Sequence, residues 1–121
     1  MYDTAGALGI TRSQERDIRL YMPSDGDVRI IAGFFSVFSD ATRVKILSAL
    51  SISDMCVGDI ALVIGLNQST VSHQLKLLRD AGIVGCRRDG KVIYYTLINP
   101  VVERVMSLGT DYVGFLMSKY R

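Results

Sequence analysis

The 121-residue sequence has no tryptophan, two cysteines, two prolines and a single histidine. Cys56 and Cys86 are too few for a disulfide framework, so packing has to hold the fold together. His73 has no second histidine or cysteine at ligand spacing and no nucleophile beside it, which argues against both a histidine-based zinc centre and a Ser/His or Cys/His pair. No acid–base pair or phosphate loop is visible either, so an enzyme is not expected. Arginine, aspartate or glycine interrupts every apolar run before it is long enough to span a bilayer, and none has the plan of a secretory signal. The expectation is a reduced, cytoplasmic protein without a membrane partner.

What is present is a hydrophobic content of 49%, enough for one core in a chain of this length. Net charge is only +2, but residues 68–91 carry five cations (Lys76, Arg79, Arg87, Arg88, Lys91) against Asp80 and Asp89. A basic quarter on a nearly neutral body is the footprint of a phosphate-binding face, although a solvated charge run would look the same.

That quarter belongs to the most informative stretch, residues 57–91. A short apolar helix ends at Gly65-Leu66. Asn67 is then placed to cap a second helix, its side-chain oxygen taking up free amide protons. On this second helix Val71, Leu75 and Leu78 recur at helical spacing and form one apolar stripe. Ser69, Ser72, His73 and Lys76 lie on the opposite face, with no apolar side chain among them. A helix of this kind fits a DNA major groove.

After Gly82 the period changes to two. Residues 83–88 and 91–97 flank Asp89-Gly90, which predicts a type I′ hairpin pairing Arg88 with Lys91, Cys86 with Ile93 and Val84 with Tyr95. That register puts Val84, Cys86, Ile93, Tyr95 and Leu97 on the core face and leaves one core and one surface tyrosine at 94 and 95. Arg87, Arg88 and Lys91 crowd the tip, where phosphate would relieve their repulsion.

The flanking segments read as support. Thr11-Arg12-Ser13-Gln14 has capping-box character and opens a short helix through Tyr21 in an N-terminal extension, residues 1–26. Residues 27–121 read as the DNA-binding and dimerisation domain. Asp27 is expected to cap a helix over 28–38 with almost no polar face, which one small domain rarely covers, so a second subunit is implied. Phe34, Phe35 and Phe38 serve core and interface packing more simply than a ligand pocket. Asp40 caps 41–51, with Val44, Leu47 and Leu50 inward and Arg43 and Lys45 outward. Asn99-Pro100 opens the last helix. Its wide apolar face predicts a dimer interface through Ile31, Phe34, Phe35, Val105, Leu108, Tyr112 and Leu116. The fold class expected is mainly α with a small β-hairpin, a winged helix-turn-helix.

From about Phe35 to Tyr112 the chain resembles the ArsR/SmtB family of winged helix-turn-helix repressors. The matching blocks are Phe38-Ser39-Asp40-Ala41-Thr42-Arg43-Val44-Lys45-Ile46-Leu47, Met55-Cys56-Val57-Gly58-Asp59-Ile60-Ala61, Ser69-Thr70-Val71-Ser72-His73-Gln74-Leu75-Lys76-Leu77-Leu78, and Gly90-Lys91-Val92-Ile93-Tyr94-Tyr95. The resemblance implies a homodimer that binds an imperfect inverted repeat in double-stranded DNA, represses transcription, and lets go when an inducer, often a metal ion, binds. It also implies that the helix from Gln68 reads the major groove and that the hairpin tip touches the backbone or minor groove. The DNA-contacting set is then Gln68, Ser69, Thr70, Ser72, His73, Gln74, Lys76, Arg87, Arg88 and Lys91.

The family's metal sites carry over poorly. Where many members have Cys-Val-Cys, this chain has Cys56-Val57-Gly58, and one thiolate is a weak site for a thiophilic or divalent ion. The last helix offers Glu103 and Asp111 and no histidine. Cys56 also stands at a helix start, where the dipole favours a reactive thiolate, but packing or a weak cap is the simpler reading of a small cysteine there. A Cys56 to Cys86 redox switch would need their Cβ atoms close together. The competing functional class is a winged-helix protein-interaction module, which would bind duplex DNA weakly and without salt dependence.

Overall fold

The computed structural model describes residues 9–119; the first eight residues of the extension and residues 120–121 lie outside it. The chain divides into two compact units, one through Phe35 and one from Ser36 onward.

In the first unit the capping box forms as read. The Gln14 amide donates to Thr11 Oγ1 at 3.1 Å, and the Thr11 amide donates to Gln14 Oε1 at 2.8 Å. Helix α1, Arg12–Tyr21, follows. Helix α2 runs Asp25–Ser36, earlier than expected, and the cap is Ser24 rather than Asp27. Ser24 Oγ accepts from the Asp27 amide at 3.1 Å, which puts Asp27 inside the first turn, where its charge still favours the positive end of the helix. The predicted single helix over 28–38 is instead α2 plus a separate 3-10 turn, Val37–Ser39.

The second unit is the winged helix-turn-helix. Asp40 caps α3, Ala41–Ile52, through the Arg43 amide at 3.0 Å. Leu47 and Leu50 are buried as expected, Ile46 and Ala49 are buried with them, and Val44 is only half-buried, so the buried face is centred between the 46/50 and 47 rows. Arg43 is not an outward charge: it is half-buried because helix-end carbonyls accept its guanidinium.

A two-residue strand β1, Met55–Cys56, leads into α4, Val57–Ile64. Gly65 ends α4 at φ +72°, a left-handed conformation that side chains resist, and it turns the chain into the next helix within three residues. Asn67 Oδ1 accepts from the Thr70 amide at 2.8 Å and opens α5, Gln68–Asp80. Val71, Leu75 and Leu78 are fully buried, against α3, α4 and the following strand.

Strands β2, Val84–Asp89, and β3, Val92–Leu97, form the wing. β1 adds to the free edge of β3, so the sheet has three antiparallel strands in the order β1-β3-β2 rather than a hairpin alone. The register differs from the expected one by two residues: Asp89 pairs with Val92, Arg88 with Ile93, Cys86 with Tyr95 and Val84 with Leu97. A type I′ turn at Asp89-Gly90 needs positive φ at both residues, and no residue other than glycine has it here. The turn is Gly90-Lys91, with φ +63° at Gly90, the pattern of a type II′ turn.

Because the slip is an even number, the faces survive it. Val84 is buried and Cys86, Tyr95 and Leu97 are half-buried, while Ile93, near the tip, is exposed. Tyr94 is half-buried as well, not a surface residue. Asn99 Oδ1 accepts from the Val101 amide at 3.0 Å and starts α6, Pro100–Lys119, which packs on α3 and β3 with Val102 fully buried.

The α5 stripe is the joint of this unit, and its removal should show in stability. Leu75→Ala should cost about 3 kcal/mol by opening a cavity. Leu77→Ala, at a side chain 44% exposed, should cost under about 1 kcal/mol. Urea melts at one fixed protein concentration measure both, and equal losses would contradict this packing.

Candidate nucleic-acid interface

Burying Val71, Leu75 and Leu78 fixes which side of α5 faces outward. Ser69, Ser72, His73 and Lys76, at spacings of three and four, lie together on that side and are exposed, while Gln68, exposed at the helix start, stands seven residues before Leu75 and so on the side of the buried stripe. Thr70 and Gln74 belong to the flank shared with Leu77. Thr70 is exposed; Gln74 is half-buried, its Oε1 3.4 Å from Arg43 Nη1. Gln68 leans back over the start of α4, since a Cβ placed on Gly58 would lie 3.5 Å from its Nε2. Ser69 Oγ donates to Asn67 Oδ1 at 3.3 Å, tying the first outward hydroxyl to the cap.

The wing supplies the cations. Arg88 and Lys91 are exposed and form no ion pair among the described residues. Arg87 is held differently. Its guanidinium lies over the Tyr94 ring, 4.7 Å from the centroid, directly across the β2 to β3 ladder. Its Nε is 3.8 Å from Asp54 Oδ2, with side chains 56% and 40% exposed. An ion pair this open contributes little to stability, but together with the ring it fixes where the charge points.

Asp54, Tyr94 and Arg43 were not singled out as site residues from sequence. Nothing in a two-residue strand shows a period, so the closeness of residue 54 to residue 87 was not legible.

The two cysteines are separated by this sheet. Cys56 pairs with Tyr94 on one edge of β3 and Cys86 pairs with Tyr95 on the other. Their side chains therefore leave opposite faces, on strands about 10 Å apart. A disulfide needs Cα atoms within about 7 Å. Both thiols are free and half-buried. Among the described residues, no group of three or more histidine, cysteine, aspartate or glutamate side chains is placed to hold a metal ion. Cys56 caps α4 by position only and makes no side-chain cap bond.

Phe38 lines an open cleft of about 340 Å³ with Val44, Val105, Gly109 and Val113, between α3 and α6.

Known proteins share this arrangement. Residues 40–85 match the model of the bacterial regulatory protein arsR family. The cadmium resistance transcriptional regulatory protein CadC of Listeria innocua is 39% identical over 87 residues, 71% of this chain and 73% of its own. The transcriptional repressor SmtB homolog of Synechocystis is 37% identical over 95 residues, 78% of this chain and 70% of its own. Among solved structures, the AntR antimony-specific transcriptional repressor superposes with a TM-score of 0.74 at 30% identity, covering 78% of this chain and 86% of its own. The homodimeric winged helix-turn-helix domain of a possible ArsR-family regulator from Mycobacterium bovis gives 0.70 at 25% identity, covering 84% and 96%.

The sheet geometry yields a direct test. Under a mild oxidant, intact mass and peptide mapping should show no Cys56 to Cys86 bond within one chain. A monomer lighter by two hydrogens, with those two peptides linked, would contradict the register.

Proposed function

This chain belongs to the ArsR family of bacterial regulatory proteins, DNA-binding transcriptional regulators and not enzymes, and we propose that it represses transcription as a homodimer on an inverted-repeat operator. The observation that carries this reading is α5 itself: one face buried through Val71, Leu75 and Leu78, the other presenting Ser69, Ser72, His73 and Lys76 to solvent, with Gln68 exposed at the helix start. Such a face has the donors and acceptors that base edges require, while Arg88, Lys91 and the pre-oriented Arg87 supply phosphate contacts. Thr70 and Gln74, on the flank, support the reading helix more than they extend it.

Dimerisation explains the apolar surface. On α2, Ile31 is exposed, Phe35 is 57% exposed and Phe34 is half-buried; on α6, Leu108 and Tyr112 are 66% and 62% exposed, with Val105 and Leu116 half-buried. A second copy covering these residues would turn exposed apolar area into an interface. Two α5 helices held by such an interface meet successive major grooves about 34 Å apart. A small rotation between the subunits mis-spaces them, which is how an inducer would release DNA.

The names of relatives mention cadmium and antimony, soft ions that favour thiolates. The donors here do not fit such a centre: Cys56 lacks a second thiol at Gly58, and Glu103 and Asp111 on α6 have no histidine beside them. No step of the proposed mechanism runs through a metal. Acting on bacterial DNA puts the protein in the cytoplasm, and among the described residues no helix is long and apolar enough to cross a membrane.

The reading separates two kinds of residue. Arg88→Ala or Lys91→Ala should weaken all duplexes alike and reduce the slope of log affinity against log salt by about one each. Ser72→Ala with His73→Ala should lower operator affinity about tenfold or more and leave a random duplex unchanged. Fluorescence anisotropy over a salt series measures both. Weak, salt-insensitive binding by the wild type would point instead to a protein-interaction module.

A further inference from the structure

Arg43 touches two parts of the second unit that its place in the sequence does not connect. Its Nε donates to the Val37 carbonyl at 3.1 Å and its Nη2 to the Ser36 carbonyl at 3.1 Å, where α2 ends and the 3-10 turn begins. Carbonyls at a helix end carry partial negative charge, which a guanidinium suits; the Ser36 carbonyl is shared, since it also accepts from Ser39 Oγ at 2.7 Å. On its other side Nη1 lies 3.4 Å from Gln74 Oε1, on α5 beside His73. The root of the side chain is fixed too, because the Arg43 amide is bonded to Asp40 Oδ2.

A guanidinium is planar, with its donors in a fixed fork. If the Ser36 and Val37 carbonyls shift, the fork turns with them and the arm facing Gln74 moves. Lysine could satisfy one of these partners but not the set, since an ammonium is a single point.

We propose that Arg43 is a positioning residue for DNA recognition: through Gln74 it ties the seating of α5 to the end of α2. The proposal rests on α5 being the recognition helix. It makes Gln74 a receiver of that link rather than a reader of bases. The half-burial of both side chains shields the link from water, so it is not an exposed pair of the kind that contributes nothing.

The test compares wild type, Arg43→Lys, Gln74→Leu and the double variant. Each is measured by amide hydrogen exchange of the free protein and by anisotropy on two duplexes: the sequence that wild type selects from a random pool, and a scrambled version of it. Each single variant should lose about tenfold in preference for the selected duplex, the size of one lost base contact, with scrambled-duplex affinity and dimer mass unchanged. Exchange across residues 70–75 should quicken in both. The double variant should be no worse than the worse single one, because both break the same link.

Losses that multiply in the double variant overturn the proposal, as does an Arg43→Lys protein with wild-type selectivity and exchange. If wild type selects no sequence, the recognition-helix reading fails, and the exchange comparison alone decides for or against the Arg43 to Gln74 link.

Discussion

Burial of Val71, Leu75 and Leu78 on one side of α5 is the constraint from which the rest of the second unit follows. Three fully enclosed aliphatic side chains each contribute roughly 1.5–3 kcal/mol and allow α5 one orientation about its axis. α3 and α4 supply the walls, and the strand after Gly82 closes the far end. Once the inward side is taken, the outward side is decided: Ser69, Ser72, His73 and Lys76 share it, with Leu77 exposed on its flank. Reading face and core are thus two consequences of one helical period.

The wing is governed by the same economy of contacts. β3 is central, so it carries β2 on one edge and the two residues of β1 on the other. That central position aligns Tyr94 under Arg87 and brings Asp54 near the guanidinium. One wing cation is therefore held in place before any DNA arrives, while Arg88 and Lys91 remain open to phosphate. The sheet also keeps Cys56 and Cys86 on opposite faces, which removes an intrachain disulfide from the ways this protein can sense its surroundings.

Much of this was legible because local chemistry agrees with the global fold. Thr11 with Gln14, Asp40, Asn67 and Asn99 each cap the helix that follows them, and the α5 stripe is as the spacing predicts. Legibility failed where two local solutions compete. Ser24 and Asp27 are both good caps three residues apart, and the earlier one wins. Asp89-Gly90 and Gly90-Lys91 are both plausible turns, and the second needs only one residue at positive φ. It failed again where a contact spans sequence distance: Arg43 looks like a surface charge until the Ser36 and Val37 carbonyls are seen beside it, and β1 is too short to show a period. The metal chemistry suggested by resemblance finds no matching donor set among the described residues.

On the proposed function, two copies present their α5 helices as a rigid pair to successive major grooves, and operator spacing is then critical. The decisive experiment measures affinity for a selected inverted repeat as base pairs are inserted between its halves. A rigid dimer requires a sharp optimum near one helical turn between half-site centres, about 10 base pairs, with loss of binding at a five-base-pair insertion and no recovery at ten. Affinity that is indifferent to the spacing would contradict it.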